Sequence, residues 1–484
     1  LYAFAAAGFA ASAHAADLGD LSLKDPLPDT LTWHGITLYG TVDVGYGFET
    51  HGLPYSGALY TGQDYVTFGN SKLAGSYSSL TNSALSQSFV GLKVEENLGL
   101  GWTALAKLET GFNPLSGELA DACASLVRSV GVQPGTKFPI ESAGDGSRCG
   151  QAINGPGYVG LSNTAYGTIT IGRQNSLDLD AMAVYDPMAL SYALSALGWS
   201  GSIGGGIGST ETARWDNSIK YAYAYGPFHV AGMFAFGTAD SSLQRDSGAG
   251  DVGFTWKGFS VDALYTKEQG VVNAVSGVVQ GINQLNYNSS TNEAYSVMAK
   301  YTFDLGGGWG FKDGGYKDPI LPTSKVTFYG GYQHTSLTNG PNLTGETTIG
   351  GYALVGVDNL NYGTARVYEV SWAGAKLDLP SGWSFTAAYY NFHQDAWTGT
   401  IGLASTAKTV GCSGDTATTS NIGCSGNFNE ASFLVDYAVT KHFDVYAGAN
   451  WNDIVGGLAH SNASGSAYFQ TNDVTFISGV RLKF

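Results

Sequence analysis

Charge is scarce in this chain. Only 13% of its 484 residues are Asp, Glu, Lys or Arg, about half of the roughly 25% usual in soluble globular domains. Long apolar runs are scarce as well. A helical membrane protein needs near-continuous stretches of about 20 apolar residues. Here one comparable uncharged stretch exists, Met188 to Thr210, and its half from Gly198 to Gly208 is rich in glycine and serine, which rules against a spanning helix. Basic residues are few: 23 Lys and Arg face 39 Asp and Glu, for a net charge of -16. That balance disfavours a nucleic-acid partner, which would need a basic face. Motifs of chemistry are missing too. The eight histidines are scattered, with no H-E-x-x-H and no G-x-S-x-G, and the glycine run Gly204 to Gly208 lacks the lysine of a phosphate loop. No loop has EF-hand spacing. The sequence therefore assigns no catalytic residue, no cofactor and no metal ligand.

What the chain does have is 69 glycines, 29 tyrosines and a mean hydropathy of -0.03. Its last thirteen residues show the pattern that uses them. Val474, Phe476, Ser478, Val480, Leu482 and Phe484 form a nearly apolar row, and Asp473, Thr475, Ile477, Gly479, Arg481 and Lys483 a mostly polar one. Alternation of that kind is a strand with oil on one face and water on the other. Thirteen residues at about 3.3 Å each, tilted by roughly 45°, cross a bilayer core. Similar segments recur: 35–48, 85–96, 101–112, 158–163, 168–174, 214–225, 228–237, 251–256, 259–267, 295–303, 325–334, 366–379, 383–392, 431–440 and 443–452. Short turns at Asn97 to Leu100, Tyr166-Gly167, Gly226-Pro227, Lys257-Gly258, Pro380 to Gly382 and Thr440 to His442 alternate with long loops; 306–323 is a long exception among the turns. The expected fold is all-β: a transmembrane antiparallel β-barrel of about 16 strands, with short periplasmic turns and long extracellular loops. Trp102, Tyr225, Trp256, Trp309, Trp383 and Trp451 fall where strands cross the lipid interfaces.

Residues 1–15 read as the remnant of a signal peptide, ending in the A-x-A pattern Ala13-His14-Ala15. A polar segment, 16–34, precedes one barrel domain, 35–484. Export exposes the cysteines to an oxidising compartment, so the four read as disulfides rather than metal ligands. Three pairings are possible; sequence proximity favours Cys123 with Cys149 and Cys412 with Cys424.

The order of motifs resembles the general porins of Gram-negative bacteria. It rests on ITLYGTVDVGYGF (Ile36 to Phe48), SQSFVGLKVEENLGLGWTALAKLETGF (Ser86 to Phe112), GTITIGRQ (Gly167 to Gln174), RWDNSIKY (Arg214 to Tyr221) and the terminal GVRLKF (Gly479 to Phe484). The resemblance implies a homotrimeric outer-membrane channel whose terminal aromatic, Phe484, is recognised by the barrel assembly machinery. It also implies a third loop, here Asn175 to Ala213, folded into the pore to narrow it. A short helix over Ala189 to Leu197, packed against the inner wall, is expected there. Asp178, Asp180, Asp186 and Glu211 are then candidates for an anionic lip. Opposite such a lip the family places a basic cluster; the inward rows offer Lys93, Lys107, Arg214, Lys220, Lys300 and Arg481, and Arg173 occupies the GRQ position. Each cation has a plainer reading as a lumen charge paired with Glu109, Asp216 or Asp304.

The function expected is passive diffusion of small hydrophilic solutes and ions across the outer membrane, with mild cation preference from the acidic balance. Outer-membrane lipid and lipopolysaccharide are the surroundings. Two alternatives stand beside it: a substrate-specific channel with an aromatic track on Tyr185, Tyr192 and Trp199, and a rim enzyme whose triad is assembled only by folding.

Overall fold

The computed structural model describes residues 30–50, 76–120, 151–198, 214–237, 246–275, 284–305, 324–340, 348–349, 352–357, 361–401, 408–410, 423–459 and 471–484. Sixteen antiparallel strands form a closed barrel among them. In chain order they are Ile36–Glu49, an interrupted second strand (Tyr77–Asn82 and Phe89–Gly99), Trp102–Gly111, Gly157–Asn163, Gly167–Asn175, Arg214–Tyr225, Phe228–Ala235 and Ser247–Trp256. The second half comprises Phe259–Val275, Gln284–Asp304, Lys325–Asn339, Arg366–Asp378, Trp383–Gln394, Gly426–Ala438, Phe443–Gly456 and Asn472–Lys483. Each pairs with its neighbour, and the last pairs with the first in the register Thr41↔Lys483 to Glu49↔Thr475. At the seam Gly40 N–H donates to Phe484 O at 2.9 Å, and Phe484 N–H donates to Gly40 O at 3.1 Å.

Alternation explains which face meets what. Leu38, Tyr46, Leu92, Tyr295, Val297, Tyr301, Phe476 and Val480 point out and are exposed, as a surface facing hydrocarbon must be. Among the described residues no helix is long and apolar enough to cross a membrane. Tyr225, Trp256 and Trp383 are exposed at strand ends, and Trp451 is exposed within Phe443–Gly456; Trp309 lies outside the described residues. The short turns form where expected. Lys257 and Gly258 both take positive φ, 48° and 83°, the combination a two-residue type I′ hairpin turn requires.

Three differences from the sequence reading have physical causes. The long loop expected up to about Ser83 contains a strand segment, Tyr77–Asn82, that pairs with Val44 to Glu49 while Phe89 to Val94 pair with Ile36 to Thr41. The intervening residues step off the ladder because buried Asp43 takes their amides: its Oδ2 accepts from Leu85 N–H at 2.9 Å and Ser86 N–H at 2.8 Å. Phe259–Val275 and Gln284–Asp304 extend well beyond 259–267 and 295–303, continuing through a register shift at Gln269/Val271. At the start, Leu31–Trp33 is not merely a polar lead-in: it folds back on Ile36 to Leu38 through His34-Gly35. The signal-peptide remnant, the 306–323 turn, Cys123, Cys149 and Cys412 lie outside the described residues; Cys424 is disulfide-bonded.

Closure leaves no room for a side chain at Gly40. A Cβ there would lie 2.6 Å from both the Phe484 ring and Phe89 O. Gly40→Val is expected to cost about 1–3 kcal/mol by overpacking and to lower the temperature at which the folded barrel loses its fast-migrating band on a denaturing gel. Unchanged heat stability would show that the Phe484 ring is not seated on this strand.

Candidate functional site

The inside of the barrel is organised by the segment that follows Gly167–Asn175. Ser176 accepts from Leu179 N–H through its side chain at 3.1 Å, and so caps the helix Leu177–Tyr185. Asp178 and Asp180 sit in its first turn, where carboxylates favour the positive end of the helix dipole. Asp186 closes the helix, and Pro187 behind it disfavours helical backbone at the preceding residue. The helix expected over Ala189 to Leu197 is therefore misplaced. Ala189 and Leu190 take positive φ, 52° and 58°, and the segment is a chain of turns followed by a short 3-10 turn at Ala196–Gly198.

Those turns are built around the Asp186 carboxylate. It accepts from Leu190 N–H at 2.7 Å, Met188 N–H at 3.2 Å, Ser195 Oγ–H at 2.6 Å and Tyr390 O–H at 2.5 Å, the last reaching across from the barrel wall. Further tethers run to other strands. Trp372 Nε1–H donates to Tyr185 O at 3.1 Å, Ala193 N–H to Ala84 O at 2.9 Å, and Asn450 Nδ2–H to Ala193 O at 3.2 Å. Between them, Leu177, Met182, Tyr185, Met188, Leu194 and Leu197 pack into one core with inward wall residues including Trp215, Leu264, Met298, Trp372, Tyr390 and Phe428. The inward rows thus carry an apolar seat amid polar residues. Large apolar residues standing at inward positions were the signal that could have located it.

The predicted acidic residues separate into different environments. Asp178 is fully buried and accepts from Thr266 Oγ1–H at 2.5 Å and Gln333 Nε2–H at 3.4 Å. Asp186 is 2% exposed. Both hold the segment to the wall. Asp180 remains water-accessible, with its side chain 49% exposed, and pairs with Lys220 Nζ at 2.7 Å while accepting from Asn175 Nδ2–H at 3.1 Å. Glu211 lies outside the described residues.

The predicted cations are mostly partnered. Lys93 Nζ lies 2.7 Å from Glu95, Lys107 Nζ 3.2 Å from Glu109, and Arg173 Nη1 2.5 Å from Asp216. Arg173 also donates to Asn154 O and Gly155 O. Tyr39 O–H donates to Glu109 at 3.1 Å, so Lys107, Glu109 and Tyr39 form one inward cluster. Arg481 binds Asp444 and Asp436 and donates to Ser86 Oγ at 2.7 Å. Lys300 Nζ donates to Val184 O at 3.3 Å and stands over the Tyr185 ring. A register shift between Gly172 and Gln174 sets Trp215 opposite Gln174, both buried, and Arg214 opposite Asn175.

Two outcomes follow from the Asp186 anchor. Tyr390→Phe leaves a buried carboxylate short of a donor, at a cost of about 1–3 kcal/mol, and is expected to speed hydrogen exchange at residues 188–195 while the barrel strands stay protected. Burial also pushes the Asp186 carboxyl above its ordinary value. The docked segment therefore binds the proton more tightly than the detached one, so docking is strongest below the ordinary carboxylate range and weakens as pH rises through the raised value. Exchange at 188–195 should accelerate across that window, and Asp186→Asn should remove the dependence.

Comparison with known proteins gives this geometry its relatives. The sequence profile described as Gram-negative porin matches residues 3–467. An outer membrane porin protein of Bordetella pertussis is 25% identical over 278 residues, which cover 57% of this chain and 61% of that protein. Among solved structures, an anion-selective porin from Comamonas acidovorans superposes with a TM-score of 0.55 at 15% identity, covering 93% of this chain and 99% of that one. OmpT, an outer membrane protein of Vibrio cholerae, gives 0.53 at 14%, covering 94% and 100%. At such identities the superpositions show the fold alone. The barrel, its seam and the profile match across nearly the whole chain agree: this chain belongs to the Gram-negative porin family and resides in the outer membrane.

Proposed function

We propose that the barrel is a water-filled channel for passive diffusion of small hydrophilic solutes and ions. The observation that carries this reading is the Asp180–Lys220 pair. It lies inside a closed barrel, yet the Asp180 side chain is 49% exposed. An ionised carboxylate keeps that exposure only where water reaches it, since burial in an apolar medium would be costly. The docked segment supports the same reading by its asymmetry: Met182, Tyr185 and Leu194 are buried against the wall, while Asp180 and Val184 are exposed toward the space it leaves.

In this reading Asp180 is the acidic group at the narrowing, and Lys107, Lys220 and Arg173 with their carboxylate partners line the path. Paired charges lining an aqueous passage orient dipolar solutes and let ions of both signs pass. The net charge of -16 supports cation preference. Tyr185 is 1% exposed and bonded to Ser260, which fits packing rather than an aromatic solute track; Trp199 lies outside the described residues. Family membership supports reading the barrel as a channel rather than an enzyme and as a homotrimer, and one Vibrio cholerae relative by fold is described in a trimer form. The outward apolar face meets lipid and lipopolysaccharide, and the Phe484 strand is the segment offered to the barrel assembly machinery.

The test is planar-bilayer recording under a salt gradient at neutral pH. Stepwise conductance with a cation-preferring reversal potential is expected, and Asp180→Asn should move that potential toward zero. An anion-preferring sign in the native chain would remove Asp180 as the controlling charge. No conductance from folded protein would overturn the channel itself.

A further inference from the structure

The inward face near the periplasmic turns holds a cluster that the sequence scatters over three strands. His229 stands two residues after the Gly226-Pro227 turn, Asp251 on the next strand and Asp262 on the one after, and their ligand atoms all lie within 4.8 Å of one another. His229 Nε2 is 2.7 Å from Asp262 Oδ1 and 4.0 Å from Asp251 Oδ2. The other Asp251 oxygen, Oδ1, is buried without a hydrogen-bond partner. Side chains from non-adjacent strands meet like this because the strand between them carries no side chain at the crossing. Gly253 is opposite both His229 and Asp262 in the ladder. A Cβ on it would sit 1.9 Å from Asp262 Oδ1 and 2.1 Å from His229 Nε2.

We propose that His229, Asp251 and Asp262 form a binding site for a divalent transition-metal ion, such as Zn²⁺ or Co²⁺, on the channel wall. One imidazole nitrogen and two carboxylates are a donor set suited to these ions. Bonds of about 2.0–2.2 Å set the donors of one ion roughly 3–3.5 Å apart, so His229 Nε2 and Asp262 Oδ1 part slightly to admit the ion while Asp251 closes toward them, and Nε2 gives up its proton to the solvent or to Nδ1. The His229 side chain is 32% exposed, which supplies a route of entry from the lumen. Three protein ligands leave a coordination position open for water or a passing solute. Two neighbours tie the site to the docked segment: Tyr185 O–H bonds Ser260 Oγ at 2.6 Å, and Lys300, opposite Ser260 in the ladder, lies over the Tyr185 ring. Lys300 is the like charge a bound cation meets, so it weakens binding.

The site is tested on the purified full-length barrel in detergent, where binding is read independently of conduction. Co²⁺ titration followed by visible d–d absorption should show one ion per chain, displaced by Zn²⁺. His229→Gln and Gly253→Ala should each weaken Co²⁺ binding at least tenfold, the latter without removing any ligand, and Lys300→Met should tighten it severalfold. Retained heat-modifiable migration on a gel shows that each variant is folded. Absence of the band from the native chain at millimolar Co²⁺, or equal affinity in folded His229→Gln, would overturn the proposal.

Discussion

Every backbone N–H and C=O that a strand carries into hydrocarbon must find its partner in protein, because lipid offers none. A sheet satisfies this only by having no edges, and here that condition is met where the last strand meets the first. The seam extends from Glu49↔Thr475 to the Gly40–Phe484 exchange of amide bonds. It also explains the second strand's break. Its two segments share the opposite edge of the first strand, and Asp43, whose carboxylate also accepts from Tyr446 O–H at 2.6 Å, satisfies the amides that leave the ladder. The detour this creates presents Ala84 O to the interior, where Ala193 and Ser191 take it up.

The interior therefore depends on the wall for its shape. A barrel of this size without filling would be an open conduit. The segment after Gly167–Asn175 fills part of it by burying one face on Trp215, Leu264, Met298 and Trp372, and buried carboxylates fix its path. Asp186 and Asp178 spend their hydrogen-bonding capacity on that attachment, which leaves the neighbouring Asp180 to meet water. Two kinds of acid two to six residues apart thus have opposite roles, set by whether each turns to the wall or to the water.

Much of the fold was legible in the sequence because alternation, turn chemistry and the outward aromatic residues are all local. The terminal row of Val474, Phe476, Val480 and Leu482 is outward as read, and Lys257-Gly258 turns as its composition requires. The interior was less legible. Asp178, Asp180 and Asp186 look alike in a sequence, and only the positions of Thr266, Gln333 and Tyr390 on distant strands distinguish them. The helix lies at Leu177–Tyr185 rather than over 189–197 because the Ser176 cap starts it and the Asp186-Pro187 stop ends it, signals that weigh more than the charge-free composition of 189–197. The register shift that sets Trp215 opposite Gln174 has no local signal either, since nothing in RWDNSIKY announces it. His229, Asp251 and Asp262 carry no motif, since their meeting depends on Gly253 being bare.

The central claim is that the segment 176–198 is docked with one face against the wall and the other against water inside the barrel. Single cysteines at its two faces, treated with a charged, membrane-impermeant thiol reagent in the folded protein, test it most directly, with the unsubstituted chain as the background. Val184→Cys should react rapidly, and Met182→Cys and Leu194→Cys slowly. Equal reactivity at all three positions would contradict the docked arrangement, and unreactive Val184→Cys in folded protein would contradict the aqueous passage beside it.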